Sequence, residues 1–322
     1  MAIYRFHEKA VALFGKKQTA QGTPEALAGT DAIAALELDW KETQQTSEYE
    51  YAGDALSRDV ETDIEDVYVE LSFGTFMPVS NTAGQAPALA VFAEACGAAT
   101  VTTASSVELT NAQASNAIMT QEFRRSSADI ATQKTYKIMD AVGTVDLEVE
   151  VGKKAQIKFN FMGNRVDAPS QETALTSDFG NQKTYIAARP QAANISISEI
   201  GTVDTVGSTK NICFHKLAAS NFFGFNYDRV LLGCFEDFSK GAVANDFTVT
   251  VLEDAANNNF DPYQHRGENF SFTLGWGTGA GKDITIYFAK AQLVDIQPTT
   301  VGTWAGLDLT FKNRDISSIK FT

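Results

Sequence analysis

Apolar and polar residues alternate along most of this chain. Val67-Tyr-Val-Glu-Leu-Ser-Phe73, Val145-Asp-Leu-Glu-Val-Glu-Val151 and Gln156-Ile-Lys-Phe-Asn-Phe161 do so in the first half, and Phe247-Thr-Val-Thr-Val251, Asp283-Ile-Thr-Ile-Tyr287 and Leu307-Asp-Leu-Thr-Phe311 in the second. A period of two puts the apolar side chains on one face and Thr, Glu, Asp or Lys on the other, the pattern of a half-buried strand. Strands at this density, separated by Gly and Asn turns, predict antiparallel sandwiches or barrels in a mainly β chain. One segment departs from the pattern. Pro87-Ala-Leu-Ala-Val-Phe-Ala-Glu-Ala-Cys96 opens with Pro, is rich in Ala and is followed by Gly97, which predicts a short flanking α-helix with Leu89, Phe92, Ala93 and Cys96 on one stripe.

Between Arg165 and Asn194 the alternation stops, so the chain divides there. The expected organisation is an N-terminal arm (1–34), a first β domain (35–164), a linker (165–193), a second β domain (194–313) and a C-terminal segment (314–322). The ends of the two halves can be laid over one another. Tyr136 to Ala141, Val151-Gly152 and Ile157 to Phe161 correspond to Ile284 to Ala289, Val301-Gly302 and Leu307 to Phe311, with the same spacing from the Val-Gly pair to the last Phe. Duplication explains this correspondence, and a chance likeness of two hairpins also allows it.

At 322 residues and 44% hydrophobic content the chain can supply a core for each half. It has neither an apolar run of membrane-spanning length nor the apolar centre and cleavage site of a secretory signal, so a soluble protein made in a cytoplasm is expected. Cys96, Cys213 and Cys234 are too few and too scattered for a disulfide framework and are expected to be buried and inert. A formal charge of −14 argues against any face that grips nucleic acid, because phosphate binding needs clustered Lys and Arg.

Candidate chemistry is sparse. Of His7, His215 and His265, only His215 has a Cys nearby, Cys213, two positions away on the same face of a strand; a structural pair is the expected role. The chain contains no nucleophile elbow, phosphate-cradling loop or zinc-protease helix. Gly275-Trp-Gly-Thr-Gly-Ala-Gly281 lies between two predicted strands with no helix following, so it predicts a hairpin loop and not a phosphate site. From Glu37 to Glu70 twelve acidic residues face only Lys41 and Arg58. Glu61, Asp63, Glu65 and Asp66 in this stretch lack the spacing and central Gly of a calcium loop, which leaves a solvated acidic surface.

Taken together, these segments resemble the tail tube proteins of long-tailed, non-contractile bacteriophages. The opening Gly15 to Pro24 with Gly29 to Ile33 is similar to the family's arm. The strand ending at Ser72-Phe73 leads through Asn81 to Pro87 into the helix closing at Gly97. The paired strands around Lys134 to Val145, Gly152 to Ile157 and Phe159 to Phe161 match in order, as do Phe223 to Val230 and Ala289 to Leu293 in the second half. The likeness spans about 300 residues by order and spacing, and no single motif is diagnostic.

The resemblance implies two tandem tail-tube-type β-sandwich or barrel domains, with no catalytic residue, cofactor, metal or membrane contact. It also implies self-association into stacked rings around a tape-measure protein, with tail terminator and tail-tip proteins as further partners and genomic DNA passing without specific binding. The location implied is the virion tail, assembled in the bacterial host cytoplasm. Under it, Glu61, Asp63, Glu65 and Asp66 become candidates to face the lumen, where like charge keeps DNA from sticking. A ring of three two-domain chains imitating sixfold symmetry is expected, with six chains as the rival. The arm (Met1 to Asp31) and connector (Arg165 to Asn194) are expected to order only on assembly. Two other functions fit less well: the tube of a contractile tail or injection device, and a tail-tip carbohydrate-binding β protein. The latter would need an exposed aromatic platform, whereas Trp40, Trp276 and Trp304 are scattered along the chain.

Overall fold

The computed structural model describes residues 6–52, 58–127, 132–179, 194–200, 206–211, 213–232, 235–253, 261–279 and 281–322. The chain is mainly β and antiparallel, with one short α-helix. Its first half contains β1 (Phe6–Lys17), β2 (Ala32–Ile33), β3 (Leu36–Ala52), β4 (Arg58–Phe76), α1 (Ala90–Ala95), β5 (Ala99–Thr102), β6 (Val107–Thr110), β7 (Met119–Ser127), β8 (Thr132–Glu150), β9 (Gln156–Arg165) and β10 (Ser170–Thr173). The second half contains β11 (Asn194–Ile200), β12 (Val206–Asn211), β13 (Phe214–Ala219), β14 (Phe225–Leu232), β15 (Phe235–Ala242), β16 (Asp246–Leu252), β17 (Asn269–Trp276), β18 (Ile284–Val301), β19 (Trp304–Asn313) and β20 (Ser317–Phe321).

Each half is a sandwich whose two layers share one long strand. The first part of β8 pairs with β7 and β10, and its second part pairs with β9. The corner lies at Asp140, where φ is +51° and the β8–β9 register shifts. One layer is therefore β2–β1–β7–β8–β10 and the other β3–β4–β9–β8. Between them Trp40 of β3 meets Phe123 of β7 edge to face at 5.0 Å, and Phe92 of α1 packs on Phe73, Phe159 and Phe161. The helix is shorter than its sequence suggests, but its stripe of Leu89, Phe92, Ala93 and Cys96 is buried as expected. Gly15 of β1 lets the helix come this close, because a Cβ there would stand 2.4 Å from the Phe92 ring.

The second half repeats the plan. β18 pairs with β17 and β20 through its first part and with β19 through its second, around a register shift at Leu293/Asp295. Stacked rings of Phe247, Phe288 and Phe311, with Phe247–Phe288 centroids 3.9 Å apart, fill the space between its layers. Matched in chain order, β1, β3, β4, β7, β8, β9 and β10 correspond to β11, β13, β16, β17, β18, β19 and β20. Every antiparallel pairing within the first set has its counterpart in the second: β1–β7 with β11–β17, β3–β4 with β13–β16, β4–β9 with β16–β19, β7–β8 with β17–β18, β8–β9 with β18–β19, and β10–β8 with β18–β20. The likeness of the two terminal hairpins in the sequence is thus one part of a repeat in strand pairing that takes in seven strands of each half.

Among the described residues two ladders join the halves. The outer edge of β8 near its end pairs with β13, and β20 pairs with β6, which in turn pairs with β5. One cluster of buried apolar residues runs through both halves, from Leu13 to Phe321. The β14–β15 hairpin forms a separate two-stranded sheet.

Three expectations need correction. Phe6–Lys17 is not part of a free arm but a strand paired with β7 and β2. The rest of that segment is fastened by Gln18, whose Nε2 donates to Asp140 Oδ1 (3.0 Å) and whose Oε1 accepts the Asp140 N–H (2.6 Å), while Gly22 N–H also donates to Asp140 Oδ1. The connector contains β10 and runs beside the arm, with Asp178 N–H donating to Gly29 O; residues 180–193 lie outside the described ones. The C-terminal segment is β20, an integral strand of the repeat. Weak alternation hid these strands, because backbone pairing with long neighbours holds them as much as apolar burial does.

The Gln18–Asp140 lock predicts that Gln18→Ala lowers stability by about 1–3 kcal/mol, since it removes a buried donor and acceptor together. A chemical denaturation curve measures this, and hydrogen exchange should show residues 18–25 opening first.

Candidate functional site

The second part of β8 is central to a sheet ordered β3–β4–β9–β8–β13–β16–β19–β18, four strands from each half. One of its faces is the core, with Leu71, Phe73, Phe159, Phe161, Val145, Leu147, Leu217, Val249, Leu309 and Phe311 all buried. The strand period puts the intervening residues on the other face. There Asp39, Glu70, Asp146, Glu148 and Asp308 outnumber Lys41, Lys158 and Lys216.

This face is knitted by short polar contacts. Lys41 Nζ lies 3.1 Å from Glu70, Lys216 Nζ 3.0 Å from Glu148, and Thr250 Oγ1 donates to Asp308 Oδ1 at 2.6 Å. Asp146 uses both oxygens: Oδ2 accepts from Asn160 Nδ2 at 3.0 Å and Oδ1 accepts the Asn221 N–H at 2.9 Å. The adjoining Phe222 N–H donates to Val145 O, so the chain leaving β13 stays sewn to β8. At the end of β8 the Glu150 carboxyl is held below the ordinary range, mainly by its bond from Lys153 Nζ. A shallow open depression between β3 and β13 is floored by short side chains such as Ser72 and Ala218. Asp39, Asp146, Glu148 and Lys158 also line it.

The proposed acidic candidates lie apart from this face. Glu61, Asp63, Glu65 and Asp66 are on the outer part of the β3–β4 hairpin, beyond the point where β9 pairs with β4. The register sets Glu61 opposite Tyr49, Asp63 opposite Ser47 and Asp66 opposite Gln45, with Glu65 at a bulge. Their side chains lie outside the described residues. The five carboxylates named on the sheet face lie on β3, β4, β8 and β19, two of them on β8, so their common face is set by strand register and not by any one run in the sequence.

The other sequence candidates are also placed. Gly277 to Asp283 is the loop joining β17 to β18, as expected; Gly279 N–H and Lys282 N–H close it on Asp283 and Gly279. His215 contributes its backbone, its carbonyl accepting the Val151 N–H. Among the described residues no group of three or more potential ligands could hold a metal. Cys96 is buried, and burial pushes its thiol well above the usual range, whereas Cys213 is half-buried. Trp40 packs inside the first sandwich, Trp276 is buried and Trp304 is 71% exposed, so the tryptophans form no shared platform. Among the described residues no helix is long and apolar enough to cross a membrane. Comparison with known proteins finds no match to a family model and none to a curated protein.

Because Asp146 clamps the join between the halves, Asp146→Ala should cost about 1.5–3 kcal/mol, the range for a hydrogen bond to a charged group. Faster amide exchange at Asn221 and Phe222, with β9 still protected, is the expected signature.

Proposed function

We propose that this chain is the structural subunit of a bacteriophage tail tube of the long, non-contractile kind, assembling as stacked rings into the conduit for DNA ejection. The observation that carries the reading is the repeat: two halves with the same strand connectivity are fused edge to edge, β8 to β13, into one sheet with an apolar and a polar face. Repeating one heterologous contact generates a ring when its rotation closes, and closure hides strand edges that would otherwise pair at random. Three chains then supply six similar domains. The polar sheet face lines the channel, and its excess of carboxylates repels the phosphate backbone. Glu61, Asp63, Glu65 and Asp66 extend this acidic wall on the projecting hairpin. The subunit acts by shape and charge and performs no catalysis. Its partners are further copies of itself, a tape-measure protein along the channel, and the terminator and tip proteins at the two ends of a virion tail.

Concentrated purified protein should form hollow tubes visible by electron microscopy, with each ring reconstructing as three chains whose two halves alternate around the channel. Six chemically identical lumen-lining domains would exclude the three-chain ring. A protein that stays monomeric and binds glycans would exclude the tube altogether.

A further inference from the structure

The join between the halves specifies a contact that the isolated chain leaves unmade. On β8 the outer edge is taken first by β7 and then, at Leu147 to Glu150, by Ala219 to Lys216 of β13. On β18, the counterpart of β8, the corresponding edge is taken by β17 only as far as Gln292, and among the described residues no strand pairs with it from Gln297 to Val301. On β3, the counterpart of β13, the edge away from β4 is likewise unpaired among the described residues.

Resting on the ring reading above, we infer that β18 of one copy pairs with β3 of the next in the register of the β8–β13 join. The register can be transferred position by position, except that β3 bulges at Glu37-Leu38, where β13 has Leu217 alone. Ile157 and Gln156 of β9 face Leu147 and Glu148, as Leu307 and Gly306 of β19 face Pro298 and Thr299. Through β4 and β16, Leu36, Asp39 and Trp40 occupy the places of Lys216, Ala218 and Ala219. The junction therefore sets Val301 opposite Leu36, Thr299 opposite Asp39 and Pro298 opposite Trp40 of the neighbouring copy.

The side chains at the two junctions differ in kind. Within the chain, Lys216 stands opposite Glu150 and bridges to Glu148 at 3.0 Å. Between chains the same position joins Leu36 to Val301, beside Trp304, which is paired with Val301 across the Gly302-Thr303 turn. Leu36 and Trp304 are both exposed in the single chain, at 39% and 71%, and the junction brings these two apolar surfaces into one row. The difference also keeps the junctions from being exchanged. A β3 strand placed on β8 would set Asp39 against Glu148 and Leu36 against Glu150, a like-charge pair and an unmatched carboxylate, so the halves must alternate around the ring. Pro298 adds an asymmetry. The alternation that sends the Val151 N–H to His215 sends the Leu147 N–H to the same side, and Pro298 in that place has no N–H, so this ladder lacks one bond and leans on its apolar row.

The test transplants one junction's pair into the other. Leu36→Lys and Val301→Glu, each alone, should raise the protein concentration needed for tube formation by about tenfold or more, while the free subunit's unfolding midpoint stays near that of the native chain. The double variant, which copies Lys216 and Glu150, should restore assembly. Separately, Asp39→Cys with Thr299→Cys should give, on oxidation of assembled tubes, disulfide-linked species no larger than three chains, because a non-hydrogen-bonded antiparallel pair brings its Cβ atoms within disulfide reach. Tubes that form normally with Leu36→Lys, a double variant that fails to recover, or tubes whose cysteines never cross-link would each overturn this junction while leaving the tube reading intact. If the native chain forms neither rings nor tubes, the tube reading fails and the junction falls with it.

Discussion

The structure depends on pairing both edges of one strand. β8 is nineteen residues long, and its backbone donors and acceptors are taken up by β9 and β10 on one side and by β7 and β13 on the other. Backbone groups in a buried sheet must be paired, and an unpaired pair of edges exposes the chain to uncontrolled association. By bending at Asp140, β8 serves both layers of the first sandwich, and by extending past β7 it leaves an edge that only a strand from the second half fills.

From that constraint the rest of the architecture follows. The second half copies the connectivity of the first, so its own long strand, β18, reaches the same point with that edge unpaired among the described residues. The β5–β6 pair, which the repeat does not include, joins the second half's other layer through β20, giving the two halves a second point of attachment and a common core. Two attachments at different layers resist rotation of one half on the other better than one ladder could.

The polar face and the apolar core arise from one alternation. Asp146 shows how closely the two are coupled: flanked on β8 by buried Val145 and Leu147, it points the other way and ties β9 to the chain following β13. Carboxylates spread over β3, β4, β8 and β19 and interspersed with lysines present a broad negative surface with less self-repulsion than a local cluster. The acidic stretch from Glu37 to Glu70, conspicuous in the sequence, contributes Asp39 and Glu70 to this face and otherwise lies along the β3–β4 hairpin.

Much of this was legible in the order of residues. Alternation at Val67–Phe73, Val145–Val151, Phe247–Val251 and Leu307–Phe311 located central strands because each buries one face, and burial selects residue type at every second position. Ala-rich composition between Pro87 and Gly97 located the helix for a similarly local reason. Phe6–Lys17, Ser170–Thr173 and Ser317–Phe321 escaped notice because their places are set by hydrogen bonds to long neighbouring strands, and a backbone bond leaves little mark on side-chain identity. The two matched hairpins allowed a repeat, but only strand pairing showed which strands it includes, since pairing between distant strands is not written in local sequence. Which residues share the polar face, and that Leu36 stands where Lys216 does, was decided by register across strands far apart in the chain. Periodicity along one segment determines which side of that segment is apolar; it holds no information on which distant segment lies beside it.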